Sequence, residues 1–348
     1  MDRDNRFETL GEERGEREPR RSRGRRQGKS PVAAILLTFI LTAVIAGLAG
    51  ALVSYKYEEK KYAGIRTPVV LEESEALDTM RENLENGNSV MTSLRSGYKN
   101  YLIVYDDSRY IFHKINYDMK MNNLSKDNVV KLDSGEWQYK KNGKVVSHKG
   151  IDVSSHQGDI DWKAVSEDGV EFAIIRSVYR GYGAEGNLVT DKKFEENIKG
   201  AIENNIAAGV YMFSQALNEK ELDEEIELLL KNIEPYEIKG PVVLDVEETA
   251  GGTGRADGLS KEERTAFCKR FCEKIKEAGY RPMLYFNYEA ALLMVNIEEL
   301  DDYEKWFATY TTNFYYPYNY SIWQYSNTGR VKGIEGDVDL DISFEKIK

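Results

Sequence analysis

The sequence predicts an α/β fold: a modified TIM-like barrel with five βα units and three closing β-strands. A single apolar segment and a small β-rich region precede it. Two observations carry that expectation. After Gly150, short apolar runs alternate with amphipathic helices over about 200 residues, the rhythm of a parallel barrel at the small end of its size range. No Gly-rich phosphate loop follows any of those runs, which weighs against an open doubly wound sheet.

Taken in order, residues 1–30 read as a disordered basic tail, with ten Lys or Arg against seven Asp or Glu. Because the whole chain of 348 residues carries −11, the remainder carries −14. That acidic bulk argues against nucleic acid as a partner. Residues 31–53, "PVAAILLTFILTAVIAGLAGALV", contain no charge and are long enough to cross a bilayer. Arg20, Arg21, Arg23, Arg25, Arg26 and Lys29 stand just before them, so the positive-inside rule places the N-terminus in the cytoplasm and the rest outside. The expected location is the cell membrane, spanned once. Cleavage near Ala49-Gly50-Ala51 is the alternative, but the apolar run exceeds the roughly 7–15 residues of a signal peptide.

Residues 54–98 read as a stalk with a helix over Leu71–Glu85, ending at "NGN". Residues 99–149 read as a small β-rich spacer. "YLIVYDDSRYIFHKI" is strand, turn, strand, and "EWQYKKNGKVVSHKG" is a hairpin turning at Asn142-Gly143. The second hairpin is similar to one repeat of cell-wall-binding modules, but a lone copy reads better as a structural hairpin. In residues 150–348 the strands are "GIDVS", "FAIIRSVY", "AGVYMFS", "PVVLDVE" and "PMLYFN", then "WFATY", "YSIWQYS" and "VDLDIS". Helices are expected near Trp162–Glu167, Asp191–Asn204 and Glu219–Ile233, in the segment holding Cys268 and Cys272, and briefly after the fifth strand. Two cysteines make no disulfide framework, and three histidines complete no zinc pattern, so neither metal nor cofactor is expected.

In such barrels function gathers at the C-terminal strand ends. Those ends hold Asp152, Tyr179, Phe213 with Gln215, Asp245 with Glu247, Tyr285 with Asn287, Tyr310, Gln324 with Tyr325, and Asp339 with Asp341. Strand alternation puts Asp245 and Glu247 on one face, about 7 Å apart along the chain. Glu248 points off that face. Aromatic rings suit the apolar faces of sugars, and carboxylates and amides suit their hydroxyls, so the cup points to carbohydrate. Cleaving a glycosidic bond needs a protonated carboxyl beside negative charge or a nucleophile, and crowded, partly desolvated acids supply both.

"GIDVSSHQGDIDW", "FAIIRSVYRGYG", "GVYMFSQA", "VVLDVEE", "WFATY" and "IWQYSNTGRVKGIEGDVDLDISF" resemble the Chalaropsis-type lysozymes, glycoside hydrolase family 25, over residues 150–348. The resemblance implies a muramidase acting on peptidoglycan glycan strands. It implies Glu247 as general acid and Asp245 as the acid orienting the substrate's acetamido group. Asp152 and Asp339 match the other acids of the site. Tyr211, Phe213, Tyr285, Trp306, Tyr310, Trp323 and Gln324 fall where the groove lining is expected, although aromatics are as often core. Asp341 departs from the family's "VDLN"; it either raises a neighbour's pKa or faces solvent. Competing readings stay open. Asp152 in "DVSS" can cap a turn, "GDVD" around Asp339 can be a turn, and His156 can be a loop hydrogen-bonder. Asp152, Asp245, Glu247 and Asp339 could instead hold Mg²⁺ or Ca²⁺ for a metal-dependent hydrolase. A non-catalytic wall-binding module is the other rival.

Overall fold

A helical hairpin, two small sheets and a closed barrel follow one another along the chain. The computed structural model describes residues 73–348 except Asp107, Ala250 and Lys348, together with Val44, Gly47 and Leu48. The described residues from 73 onward belong to one compact unit. The expected membrane span falls almost wholly outside the described residues, among which no helix is long and apolar enough to cross a membrane.

Helices α1 (Glu73–Glu85) and α2 (Val90–Gly97) come first, the second capped by Ser89. Strands β1 (Tyr101–Asp106) and β2 (Arg109–Lys114) pair antiparallel, and Met80, Leu94 and Ile103 make a core beneath them. A second sheet joins β3 (Val129–Lys131), β4 (Trp137–Lys141) and β5 (Lys144–Val145). Its β4–β5 turn has Asn142 at φ 51° and Gly143 at φ 75°, the left-handed pair that a two-residue hairpin demands.

The barrel starts at β6 (His148–Val153), followed by α3 (Trp162–Glu167), β7 (Phe172–Arg180), a short β8 (Leu188–Thr190) and α4 (Phe194–Glu203). Next come β9 (Ala207–Phe213), α5 (Glu219–Ile233), β10 (Val242–Asp245) and α6 (Lys261–Glu277). After β11 (Pro282–Asn287) a single π-helical turn and a 3₁₀ turn stand in place of a long helix. Strands β12 (Lys305–Ala308), β13 (Ile322–Gly329) and β14 (Val338–Ser343) complete it. The order β6-β7-β9-β10-β11-β12-β13-β14 closes on itself through β14–β6. Every neighbouring pair is parallel except the two made by β14. Five βα units and three closing strands are therefore present, and the open-sheet alternative is excluded by closure.

Inside, Phe172, Ile174, Val243, Met283, Trp306 and Ile322 plug the barrel. Gly150 is obligatory there, because a Cβ would lie 2.1 Å from the Phe172 ring. Outside, the helices bury Ile198, Ile226, Leu229, Cys268 and Cys272 against the strands. Both cysteines are free and buried, as small core residues, and burial raises both thiol pKa values.

The region read as a spacer is packed onto the barrel. Its anchor is the Tyr-rich segment between β12 and β13. Asn122 Nδ2 donates to the carbonyls of Tyr316 (2.9 Å) and Tyr318 (3.0 Å), and Asn116 N–H donates to the Tyr318 hydroxyl. Trp137 of β4 lies 5.2 Å from both the Trp323 and Tyr325 rings. Removing such a ring costs transfer energy and leaves a cavity. Trp137→Ala is expected to lower unfolding stability by about 2–4 kcal/mol, read from urea unfolding. A loss below about 0.5 kcal/mol, the range of surface substitutions, would mean that the β-rich sheet and the barrel are uncoupled.

Candidate active site

Seven parallel strands aim their C-terminal ends at one mouth, and the antiparallel β14 enters from that same end. This geometry decides which carboxyls meet. Asp339 on β14 stands opposite Asp152 on β6, and Asp341, two residues on, stands opposite Gly150, one layer deeper. On β10, Asp245 is in register with Phe213 and Tyr285. Asp152 and Asp245 are buried, and Glu247 is half-buried just past the strand end.

A hydrogen-bonded chain links the wall. Gln324 Nε2 donates to Asp152 Oδ2 at 2.7 Å, while its Oε1 accepts from the hydroxyls of Tyr285 and Tyr310, each at 3.1 Å. Asp152 thus points inward as a site residue and caps nothing. The turn after β6 is capped by Ser154 instead. Below, the buried Trp306 gives its indole N–H to Asp341 Oδ1 at 2.8 Å. Asp245 Oδ1 is buried without a partner.

Burial dominates the electrostatics. It pushes Asp245 well above the ordinary carboxylate range; Glu247's charge adds to the push, and Arg176 pulls back. Glu247 is raised by burial and then by Asp339. Asp339 is pushed up to about 6 by burial, and Asp152 rises through burial and the charges of Asp339 and Asp341. Crowded acids that lack enough counter-charge keep protons near neutrality, which suits a proton donor beside an anion.

Of the residues expected to line a groove, Tyr310 is 52% exposed at the rim, and Tyr211 and Phe213 are half-buried at the mouth. Tyr285 stacks edge-on with Trp306 at 4.5 Å, and Trp306, 2% exposed, is core of the barrel beneath the mouth rather than groove lining. Trp323 is a correction. It is 0% exposed on the outer face, packed on Phe314 and Trp137, its N–H donated to the Thr309 carbonyl. Strand alternation forbids Trp323 and Gln324 from sharing a face. Asp341 is also resolved: it is fully buried in the barrel and does not face solvent. Glu248 and His156 are exposed.

Sequence reasoning missed Arg176 and Asp191. Arg176 projects from β7 in register with Tyr211, its Nε 2.8 Å from Asp191 Oδ2 and its Cζ 5.0 Å from the Tyr179 ring centroid. A lone arginine amid "FAIIRSVY" was the available signal, since a charge inside a buried strand needs a partner. Also missed were exposed Tyr182 and Leu217, on the loops after β7 and β9 at the same end. Gln215 Oε1 holds the Ala256 N–H, so it secures the loop beyond Glu247. Among the described residues, no group of three or more His, Cys, Asp or Glu is arranged to hold a metal ion.

The family-level match agrees with this architecture. A sequence model of glycosyl hydrolases family 25 matches residues 151–334, more than half of the chain. The chain belongs to glycosyl hydrolases family 25. It is 29% identical over 202 residues to an autolytic lysozyme of Clostridium acetobutylicum, an alignment covering 57% of this chain and 56% of that protein. It is 28% identical over 202 residues to lysozyme M1 of Streptomyces globisporus, covering 55% of this chain and 66% of the relative. The chain thus spans between half and two thirds of the length of those family 25 relatives. The modular autolysin LytC of Streptococcus pneumoniae, solved with a synthetic peptidoglycan ligand, superposes with a TM-score of 0.52 at 24% identity. That superposition covers 70% of this chain and 56% of LytC and speaks for the fold.

Proposed function

We propose that this family 25 glycosyl hydrolase cleaves the β-1,4 bond between N-acetylmuramic acid and N-acetylglucosamine in peptidoglycan. The observation that carries the reading is the acid pair at the end of β10. One member is sealed with an unpartnered oxygen, and the other stands half-open at a mouth rimmed with tyrosine. Relatives named as lysozymes support it.

In this mechanism Glu247, kept protonated by burial and by Asp339, gives its proton to the leaving oxygen as the bond from the sugar carbon to that oxygen breaks. Asp245, behind it, accepts the N–H of the substrate's acetamido group and turns the acetamido oxygen onto the sugar carbon. Water then opens that cyclic intermediate, with Glu247 taking back a proton. Asp339 supplies negative charge near the cationic ring, Asp152 stands opposite it on β6, and Tyr310 offers its face to a sugar. Gln324 keeps Asp152 in place.

We further propose that residues 31–53 tether the chain to the membrane with the barrel outside, which confines hydrolysis to local wall remodelling. The uncharged run behind a basic tail motivates this. Impermeant labelling of the intact N-terminus on whole cells tests it: protection with residues 1–30 retained is expected, and a mature chain lacking them contradicts it.

The chemistry is tested with the full chain and Glu247→Gln on insoluble peptidoglycan, the soluble products being reduced and identified by mass spectrometry. Wild type should release fragments ending in reduced N-acetylmuramic acid, with activity falling on the alkaline side as Glu247 loses its proton. Glu247→Gln should lose at least about 10³-fold in kcat. Reduced N-acetylglucosamine ends would show that a different bond is cut. Sedimentation with the wall but no release from wild type would favour the binding module.

A further inference from the structure

Asp341 is the deepest carboxyl in the barrel, 0% exposed. One oxygen is satisfied by Trp306, and the other, Oδ2, is buried with no hydrogen-bond donor. Its strand neighbours explain what fills that gap. Asp341 pairs with Gly150 on β6, so Asp152, two residues further on the same face, is its diagonal cross-strand neighbour. Gln324, opposite Asp341 on β13, already donates to one Asp152 oxygen. Two carboxylates side by side repel, whereas a carboxyl and a carboxylate share a strong hydrogen bond.

We propose that Asp341 is a positioning residue that shares a proton with Asp152, locking the Asp152 carboxyl at the mouth. The titratable groups that face the pair are Asp339 from β14, Tyr310 from the loop after β12, Tyr285 from β11 and Tyr211 from β9. Burial first, and Asp339 second, hold Asp341 above the ordinary carboxylate range. The role deepens the hydrolase reading, because Asp152 is one of its acids.

Asp341→Asn is the decisive variant. Its side-chain oxygen can still accept from Trp306, and its amide donates to Asp152 at every pH. The sign follows from linkage. Below about pH 3 the wild-type proton is present in folded and unfolded chains alike. As pH rises, the unfolded chain loses that proton while the folded chain retains it, so wild type falls behind a variant with nothing to titrate. Melting temperatures of the two full chains from pH 4 to 8 should therefore show a gap, variant minus wild type, that widens with pH. A constant or narrowing gap overturns the shared proton, and so does an Asn variant that does not fold.

A second arm reads kcat for wall release at pH 6. Asp341→Asn should stay within about threefold of wild type, and Asp341→Leu should fall by about tenfold or more. Equal rates for the two variants overturn the positioning role. A Leu variant that does not fold leaves the decision to the Asn variant. The melting arm uses no substrate, so an inactive wild type would sink the muramidase reading and leave the proton test standing.

Discussion

Five carboxyl groups, Asp152, Asp245, Glu247, Asp339 and Asp341, crowd the mouth and the layer beneath it, and Arg176 pulls against one of them, Asp245. Arg176 is already paired with Asp191, whose side chain is fully buried. Full ionisation of the cluster in so desolvated a place would cost several kcal/mol per unpaired charge. Protons must be held instead. That constraint links the fold to the chemistry, since the same shortage of counter-charge that strains the native state leaves an acid protonated near neutrality.

Closure of the barrel makes the crowding possible. If β14 ran parallel to its neighbours, Asp339 would lie at the bottom and Asp341 nearer the mouth. Entering antiparallel from the top, it sets Asp339 against Asp152 and sinks Asp341 beside Trp306. The close approach of Gly150 and Phe172 and the apolar plug beneath keep water from relieving the acids from below. Gln324 joins β6, β11 and the rim through one side chain, tying the Asp152 carboxyl to two tyrosines. The β-rich region stiffens the same wall from outside, where Trp137 backs Trp323.

Much of this was legible in the sequence. Apolar runs such as Val242–Leu244 declare buried parallel strands, and Asp245 with Glu247 declares one functional face by alternation alone. The eight barrel strands were each readable, whereas β3 and β8, of three residues each, were too short to show a period. Inward or outward facing of an aromatic was harder to read. Trp323 and Trp306 look alike in a strand, and one supports the barrel from outside while the other floors it. Depth along a strand was not legible either: Asp339 and Asp341 share a face, but only the antiparallel register shows which is at the mouth. Arg176 was hidden by its own setting, because its partner Asp191 lies beyond the strand and past β8.

The central claim is that the folded barrel holds protons which its unfolded chain gives up. Calorimetric unfolding at pH 7.5 in buffers of different ionisation enthalpy measures that directly. At this pH the half-buried His113, lowered to about 4 in the fold, takes up little proton on unfolding, and Lys305, lowered to about 8, takes up a fraction of one that is added back to the release. Release of about one proton or more per chain is predicted, because the raised carboxyls ionise once exposed. No release, or net uptake, would mean that the acids at the mouth are already ionised in the native state, and would contradict the account.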